Sequence, residues 1–316
     1  MLSNINLNLL RSLHVLLDEC HVSRAAERLH ITQSAMSRQL AQLRELCGDP
    51  LLVRDGNRLV PTARALALQS KLLGLLDEFE HLFAAPSFVP EQWQGEFVFA
   101  SSDYVAQYIF PAAAQALMQQ APRLNLSYRL WQPSYLTALL DSGIHLASTM
   151  LPQAPRDLSS VHIGQDSSVC LMRADHPLAQ QSSLSLDAFL AYSHIKVTGG
   201  GDKDSATDRA LGEKGLARRI ALQVPFFTAA VNCLLQSDHL MVVPKHIAVN
   251  LAKNHPLVDL PLPLSTEPHQ YWLMWHPKYD SDLAHRWARE VVLAIMLSCQ
   301  YSIGMISDHH HHHEEV

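Results

Sequence analysis

Two short helical segments, separated by only three residues, stand out in the N-terminal part of the sequence. The first is expected to begin at Ser23, whose hydroxyl is a suitable cap, and its Ala25 and Ala26 allow another helix to approach closely. After a connection at residues 30–32, apolar residues recur at helical intervals at Ala35, Met36, Leu40, Leu43 and Leu46. Together with a further helix over residues 9–17, this spacing predicts a helix-turn-helix domain.

The exposed side of the second helix carries polar residues that suit a DNA groove. Glutamine pairs with adenine, arginine with guanine, and serine with base edges or phosphates. Pro50 is expected to end this helix. Residues 51–60 are expected to form two short strands around a turn at Asp55-Gly-Asn, with arginines against the DNA backbone or in the minor groove. The predicted DNA contacts are Ser23, Thr32, Gln33, Ser34, Ser37, Arg38, Gln42, Arg54 and Arg58. From spacing alone, a small helical domain with solvated polar faces remains the alternative.

The distribution of charge adds weak support for a nucleic-acid partner. The 316 residues carry a net charge of −6, whereas residues 1–64 hold eight arginines and six acidic residues. A basic, arginine-only segment joined to an acidic body suggests that one end of the chain meets a polyanion. Apolar residues make up 48% of the chain, which is enough for buried cores in two or three domains.

Residues 62–83 are expected to form a long helix capped by Thr62. It carries two apolar stripes on adjacent faces. One stripe has heptad spacing and consists of Ala65, Leu68, Leu72, Leu75, Phe79 and Leu82, and the second consists of Leu66, Leu73, Leu76 and Phe83. One stripe can pack on the helical domain while the other meets a second copy, so we expect a homodimer. A core helix within one domain is the alternative. Pro86 and Pro90 then indicate a hinge.

Strands and helices alternate in the rest of the chain, which predicts α/β subdomains with mainly parallel sheets. Strands are expected near 95–101, 125–131, 144–149, 167–172, 193–197, 220–223, 240–243 and 271–275, and helices over 103–120, 134–141, 207–214, 228–236, 245–252 and 282–299. Ligands of such sheets bind at the C-terminal ends of strands and at helix N-termini. That rule selects candidate effector contacts at Ser101, Ser102, Thr198, Gly199, Phe226 and Thr228. Capping or turn formation is the alternative role for these residues.

The run from residue 23 to residue 44 resembles the DNA-binding signature of the LysR-type transcriptional regulators. Ala25-Ala26, Leu29, Gln33-Ser34, Ser37 and Leu43 fall at the spacing of that family, and the chain length fits. The segments Leu43-Arg44, Asp49-Pro50-Leu51, Val53-Arg54 and Pro61-Thr62 resemble the branch that contains the nodulation regulators. The departures are Leu52 in place of Phe, His145 in place of Asp, and Asp238-His239 in place of a glycine-rich turn. The last two alter the surroundings of the ligand cleft, so the ligand class of better-known members does not carry over.

The resemblance implies a multidomain protein of mixed α+β and α/β class. Its parts would be a winged helix-turn-helix at 1–61, a dimerising linker helix at 62–85, a hinge at 86–93, a periplasmic-binding-protein-like effector domain of two α/β subdomains at 94–305, and a His-rich tail at 306–316. The expected function is sequence-specific binding of double-stranded DNA, controlled by a small-molecule effector. The expected assembly is a homodimer that pairs further into a homotetramer.

Enzyme chemistry has little support in the sequence. There is no G-x-S-x-G, H-E-x-x-H or phosphate-loop motif, and the scattered cysteines form no C-x-x-C pair, so no catalytic residue, metal or cofactor is expected. The sequence also lacks an apolar run of about 20 residues and an N-terminal signal pattern, which predicts a cytoplasmic protein without a membrane partner. The alternative function is a cytoplasmic small-molecule-binding protein or α/β enzyme whose helical N-terminus serves only for interaction.

Overall fold

The computed structural model describes residues 4–201 and 203–303. The chain forms two compact units, with the boundary between Pro86 and Ser87. The His-rich tail expected at 306–316 lies outside the described residues, and so do the last two residues of the expected effector domain.

Three helices and a β-hairpin form most of the first unit. Helices α1 (Asn8–Glu19), α2 (Val22–Leu29) and α3 (Gln33–Cys47) pack through one apolar cluster. Its most buried members include Leu16, Ala25, Ala26, Met36 and Leu43. Strands β1 (Leu52–Asp55) and β2 (Arg58–Pro61) pair antiparallel across a tight turn, in which Gly56 has a φ of +64°. This is a helix-turn-helix with a wing, as the sequence predicts.

Two helix boundaries differ from the sequence prediction. The ring of His21, rather than Ser23, caps α2, because His21 Nδ1 accepts a hydrogen bond from the Arg24 N–H at 3.1 Å. Ser23 lies in the first turn of that helix. Helix α3 ends before Pro50, because Gly48 adopts a left-handed φ of +60° and closes the last turn. Histidine is an unusual cap, which explains why the pattern pointed to the neighbouring serine.

Helix α4 (Ala63–Leu82) completes the first unit. Thr62 caps it as predicted, and its hydroxyl accepts a hydrogen bond from the Ala65 N–H at 3.1 Å. The side that packs on the first unit is formed by Ala65, Leu68, Leu72 and Leu76. Both predicted stripes contribute to this side, so neither is buried as a whole. The large apolar side chains that stay exposed on or just after α4 are Leu66, Leu73, Leu75, Phe79, Leu82 and Phe83.

In the described part of the second unit, ten strands form two five-stranded sheets. In chain order they are β3 (Gly95–Ser101), β4 (Leu124–Leu130), β5 (Leu146–Met150), β6 (Ser159–Asp166), β7 (Ser168–Arg173), β8 (His194–Val197), β9 (Ile220–Val224), β10 (Leu240–Pro244), β11 (Leu257–Pro261) and β12 (His269–Trp275). The first sheet has the order β4-β3-β5-β12-β6 and the second has the order β11-β7-β10-β8-β9. The chain therefore passes from the first sheet to the second after β6 and returns after β11.

The expectation of mainly parallel sheets is wrong, because each sheet is half antiparallel. Strand β3 pairs parallel with β4 and β5, and β8 pairs parallel with β9 and β10. The antiparallel pairs are β5 with β12, β12 with β6, β7 with β10, and β7 with β11. Each of these pairs contains a strand next to one of the two crossings between the sheets. The chain reverses direction at these crossings, and the alternation of strands and helices in the sequence does not reveal such reversals.

Seven further helices connect or cover these strands. They are α5 (Asp103–Tyr108), α6 (Phe110–Gln120), α7 (Leu186–Ala191), α8 (Ser205–Glu213), α9 (Phe227–Leu235), α10 (Lys245–Ala252) and α11 (Leu283–Ser298). The single helix expected over 103–120 is broken at Ile109, since Pro111 near the start of α6 has no N–H to continue the ladder. The helix expected over 134–141 is only a short 3₁₀ turn at Pro133–Thr137. Strands β6 and β11 and helix α7 had no counterpart in the prediction.

Candidate DNA interface and effector cavity

The predicted reading face of α3 is exposed along its whole length. Thr32 caps the helix, because its hydroxyl accepts a hydrogen bond from the Ala35 N–H at 3.1 Å. Met36, Leu40 and Leu43 are buried on the opposite side, which fixes the orientation of the helix. The predicted contacts Gln33, Ser34, Ser37, Arg38 and Gln42 are all exposed, as are Ala41, Arg44, Glu45 and Leu46 further along the helix. The predicted contacts present amide, hydroxyl and guanidinium groups, the groups that make hydrogen bonds to base edges.

Two neighbouring polar residues are already used within the first unit. Gln39 is half-buried and its amide oxygen accepts a hydrogen bond from Ser12 of α1. Arg28 of α2 forms ion pairs with Asp18 and Glu19 of α1. The hydrogen bond from Arg28 lowers the pKa of Asp18 and raises that of Arg28. Arg28 therefore braces α2 against α1, whereas Arg38 forms no ion pair within the described residues.

The wing carries its two predicted arginines on opposite faces. Arg54 pairs in register with Leu59, and Asp55 with Arg58, so Arg54 and Arg58 point to different sides of the hairpin. Both are exposed, and Arg58 forms only a solvated ion pair with Asp55 at 3.3 Å. Such a pair contributes at most about 1 kcal/mol, so it does not prevent Arg58 from turning to a phosphate. A duplex can meet both arginines only if the hairpin approaches with its edge or tip.

A small cavity lies between the two sheets of the second unit. Its volume is about 40 Å³, which is enough to hold water. Ser101 and Ser102, two of the candidate effector contacts, line it at the end of β3 and before α5. Ser101 Oγ donates a hydrogen bond to the Ser148 carbonyl at 2.8 Å, and Ser102 Oγ accepts one from the Val105 N–H at 3.2 Å. Both hydroxyls thus also serve the fold.

Lys203 is a cavity residue that the sequence analysis missed. Its ammonium donates hydrogen bonds to the carbonyls of Gly199 and Gly201 at 2.6 and 3.0 Å, and it lies 5.4 Å from the ring centroid of Phe227. The residue is buried, and it borders both the cavity and a polar depression toward solvent that contains Arg209. No phosphate-loop motif includes this lysine, so no local pattern in the sequence marks it as a site residue.

His246, which lines the cavity, forms a buried polar pair with Asp166 at the first crossing between the sheets. Asp166 Oδ2 accepts hydrogen bonds from the His246 N–H at 2.8 Å and from His246 Nδ1 at 2.6 Å. The ring of Tyr271 meets His246 edge-on, and burial raises the pKa of Tyr271 well above its ordinary value. The Tyr271 hydroxyl has no hydrogen-bond partner among the residues that the structure describes. A ligand atom that accepts a hydrogen bond would satisfy it.

The other four candidate effector residues are not part of the cavity lining. Thr198 pairs through its N–H with the Val224 carbonyl at 2.9 Å, and a Cβ at Gly199 would stand 2.2 Å from the Pro225 carbonyl oxygen. Phe226 is exposed, and Thr228 Oγ1 donates a hydrogen bond to Gln107 at 3.2 Å. These residues lie where the two sheets meet through their loops and helix ends.

The N-terminus of α9, the feature that selected Phe226 and Thr228, holds an internal carboxylate. Asp103 Oδ2 accepts a hydrogen bond from the Phe227 N–H at 2.6 Å. Asp103 belongs to α5, which follows the first sheet, whereas α9 packs on the second. A Cβ at Gly200 would stand 2.4 Å from Ser102 Cα, so the backbones also approach closely here. These contacts hold the two halves of the second unit together beside the cavity.

His145, one of the departures from the family pattern, lies outside the cavity lining, and so does Trp131. His145 Nδ1 accepts a hydrogen bond from the Val98 N–H at 2.9 Å, and its carbonyl accepts one from His285 Nε2 at 2.6 Å. Trp131 is a buried core residue. Within residues 4–201 and 203–303, no cluster of three or more metal-binding side chains occurs. No helix in these ranges is long and apolar enough to cross a membrane.

The chain has a winged helix-turn-helix followed by a two-sheet body with an internal cavity. These features define its class as a ligand-responsive transcription regulator. Comparison with known families gives the same class. Residues 7–66 match the model of the bacterial regulatory helix-turn-helix protein, lysR family, and residues 90–296 match that of the LysR substrate binding domain. The chain belongs to the LysR family, and the resemblance noted in its sequence is confirmed. The family consists of DNA-binding transcription regulators with an effector-binding regulatory domain, and they are not enzymes.

Relatives and solved structures cover nearly the whole chain. The HTH-type transcriptional activator NahR of Pseudomonas putida is 32% identical over 293 residues, which are 92% of this chain and 97% of the relative. The HTH-type transcriptional regulator SyrM of Rhizobium meliloti is 30% identical, with 93% and 90% covered. A crystal structure of a probable transcriptional regulator from Pseudomonas aeruginosa is 31% identical, with a TM-score of 0.55 and coverage of 92% and 97%. A full-length OxyR variant of the same organism shares the fold, with a TM-score of 0.62 at 18% identity and coverage of 92% and 99%.

Proposed function

We propose that α3 lies in the major groove of an operator and reads its bases through Gln33, Ser34, Ser37, Arg38 and Gln42. The observation that carries this proposal is the fully exposed polar face of α3, opposite a buried apolar face. Ser23 and Thr32 stand at the N-terminal turns of α2 and α3, where hydroxyl and N–H groups suit phosphate oxygens. Arg54 and Arg58 would contact the backbone or the minor groove from the wing.

We further propose that the protein acts as a homodimer through α4 and as a homotetramer through contacts between effector domains. The support for the dimer is the set of six large apolar side chains that α4 and its end leave in solvent. Leu73 is 54% exposed and Phe83 is 84% exposed. A second copy that covers these side chains would remove the cost of their hydration. The proposed location of the protein is the cytoplasm.

The cavity between the sheets is the proposed effector site. Ser101, Ser102, Lys203 and Tyr271 would contact the ligand there, and Thr198, Gly199, Phe226 and Thr228 would lie at the edges that close over it. The cavity volume is about 40 Å³, and we propose that the two halves of the second unit move apart to admit a larger effector. A ligand that prefers one separation of the halves would shift the population of the protein toward it.

The role of α3 can be tested by replacing one residue and measuring two duplexes. The probes are a duplex selected from a randomised pool by the wild-type protein and a scrambled duplex of equal length. If Arg38 reads a base, Arg38→Ala loses about 1–3 kcal/mol on the selected duplex only. Arg123→Ala, an exposed arginine of the second unit, is the matched control and retains full affinity. An equal loss on both duplexes means a phosphate contact, and an unchanged affinity refutes the proposed base contact of Arg38.

A further inference from the structure

The loop between α3 and the wing contains an unfavourable backbone conformation. Gly48 and Leu51 both have positive φ, of +60° and +64°. A left-handed conformation suits glycine, but it crowds the Cβ of a leucine against its own backbone. The Leu51 side chain is nevertheless fully buried in the core of the first unit. A conformation of this kind persists only where the surrounding structure holds it in place.

Arg44, in the last turn of α3, holds the loop on both sides of this leucine. Its Nε donates a hydrogen bond to the Pro50 carbonyl at 2.8 Å, and an η nitrogen donates one to the Leu52 carbonyl at 3.0 Å. The guanidinium presents its donors in a rigid, planar fork. One side chain therefore fixes the carbonyls that precede and follow Leu51.

Asp49 and Thr62 hold the peptide groups of Leu51 itself. Asp49 Oδ2 accepts hydrogen bonds from the Leu51 N–H at 2.8 Å and from Thr62 Oγ1 at 2.6 Å. The Thr62 N–H donates to the Leu51 carbonyl at 2.9 Å. These hydrogen bonds lower the pKa of Asp49, so the acceptor stays ionised. Arg44, Asp49 and Thr62 together form what we call the wing clamp.

The wing clamp controls where the wing arginines stand. Arg54 follows Leu51 by three residues, which is about 10 Å of extended chain. A rotation of about 20° at Leu51 would move Arg54 by about 3 Å, which is enough to break a hydrogen bond to a phosphate. We propose that Arg44 is a positioning residue for DNA binding: its fork sets the angle at which the wing leaves α3, so that Arg54 and Arg58 reach the duplex. This inference rests on the proposed DNA contacts of the wing.

A double-mutant cycle tests the proposal in the full-length protein. The probe is the duplex selected by the wild-type protein, and affinity is measured between about 50 and 200 mM salt. If Arg54 and Arg58 each contact one phosphate, the dimer loses four contacts in the Arg54→Ala, Arg58→Ala variant. Raising the salt over this range weakens binding of the wild type by a certain factor, and the corresponding factor for the variant is expected to be about 150-fold smaller. Arg44→Ala is expected to flatten the salt dependence similarly, and the triple variant is expected to bind no more weakly than the double variant.

Several results would overturn the proposal. If the effects of Arg44→Ala and of the wing variant multiply, Arg44 acts on DNA independently of the wing. Arg44→Lys keeps the charge but not the fork, so full recovery of affinity and salt dependence in that variant also contradicts positioning. If Arg44→Ala lowers the thermal midpoint so far that its binding cannot be measured, Arg44→Lys replaces it in the cycle. If the Arg54→Ala, Arg58→Ala variant binds like the wild type, the proposed wing contacts themselves fail, whatever the result at Arg44.

Discussion

Asp103 links the two halves of the second unit, and its removal has a measurable local consequence. Its carboxylate accepts the Phe227 N–H at 2.6 Å and so caps α9 from a different helix. The residue before α9, Phe226, has no side chain that could replace this cap. A hydrogen bond to a charged acceptor contributes about 1.5–3 kcal/mol, and loss of a cap costs about 0.5–2 kcal/mol. We therefore expect Asp103→Ala to lose about 2 kcal/mol at this position.

Amide hydrogen exchange measures this loss directly. A loss of about 2 kcal/mol raises the exchange rate of the Phe227 amide by about 30-fold, while amides of the first unit keep their rates. Asp103→Asn leaves a neutral acceptor, so its effect is expected to be smaller, about 5-fold. Asp187→Ala, which removes an exposed carboxylate from the first turn of α7, is the matched control. Unchanged exchange at Phe227 in Asp103→Ala would refute the capping role.

Two further predictions concern acid stability and assembly. Burial lowers the folded-state pKa of His194 and His285 to about 4. Below the ordinary histidine pKa of 6.5 the unfolded chain therefore binds more protons than the folded chain, so the folded state loses stability as the pH is lowered. When the pH is lowered from about 7.5 to about 5, each histidine is expected to reduce the free energy of unfolding, measured with urea, by about 2 kcal/mol. His285→Gln should remove the part of this reduction that His285 causes. An equal free energy of unfolding of the wild-type protein at the two pH values would contradict this account. Leu73→Glu on α4 is expected to give monomers in light scattering and to weaken operator binding, whereas Lys71→Glu on the same helix should remain dimeric; a dimeric Leu73→Glu variant would count against the α4 interface.

Local sequence signals predicted the elements that depend on local chemistry. Thr62 caps its helix as expected, since a threonine before an apolar-periodic run satisfies N–H groups within four residues. Thr32, which was placed in the connection before α3, caps its helix in the same way. Strand β3 and helix α10 have the predicted bounds, because each is an apolar segment with a clear stop signal. The mixed sheets could not be predicted in the same way. They depend on how the chain crosses between sheets, and that is a property of residues far apart in sequence.

The same distinction applies to the residues that line the proposed effector cavity. Ser101 and Ser102 follow a strand and precede a helix, a position that the sequence displays. Lys203, His246 and Tyr271 line the cavity from a loop, a helix start and the middle of β12. The crossings after β6 and β11 bring these three segments together. No spacing between them carries information about a shared site, so a single sequence could not reveal it.

Helix ends and strand ends are reliable guides to polar groups, but the fold of this protein uses many of those groups itself. Asp103 occupies the N-terminus of α9, and Ser102 caps α5 while it lines the cavity. Tyr271, by contrast, comes from a strand interior, and its buried hydroxyl has no partner in the described part of the chain. A buried donor without a partner is costly unless a bound molecule satisfies it. For this reason the Tyr271 hydroxyl supports the proposed effector site more directly than the turn residues that the sequence suggested.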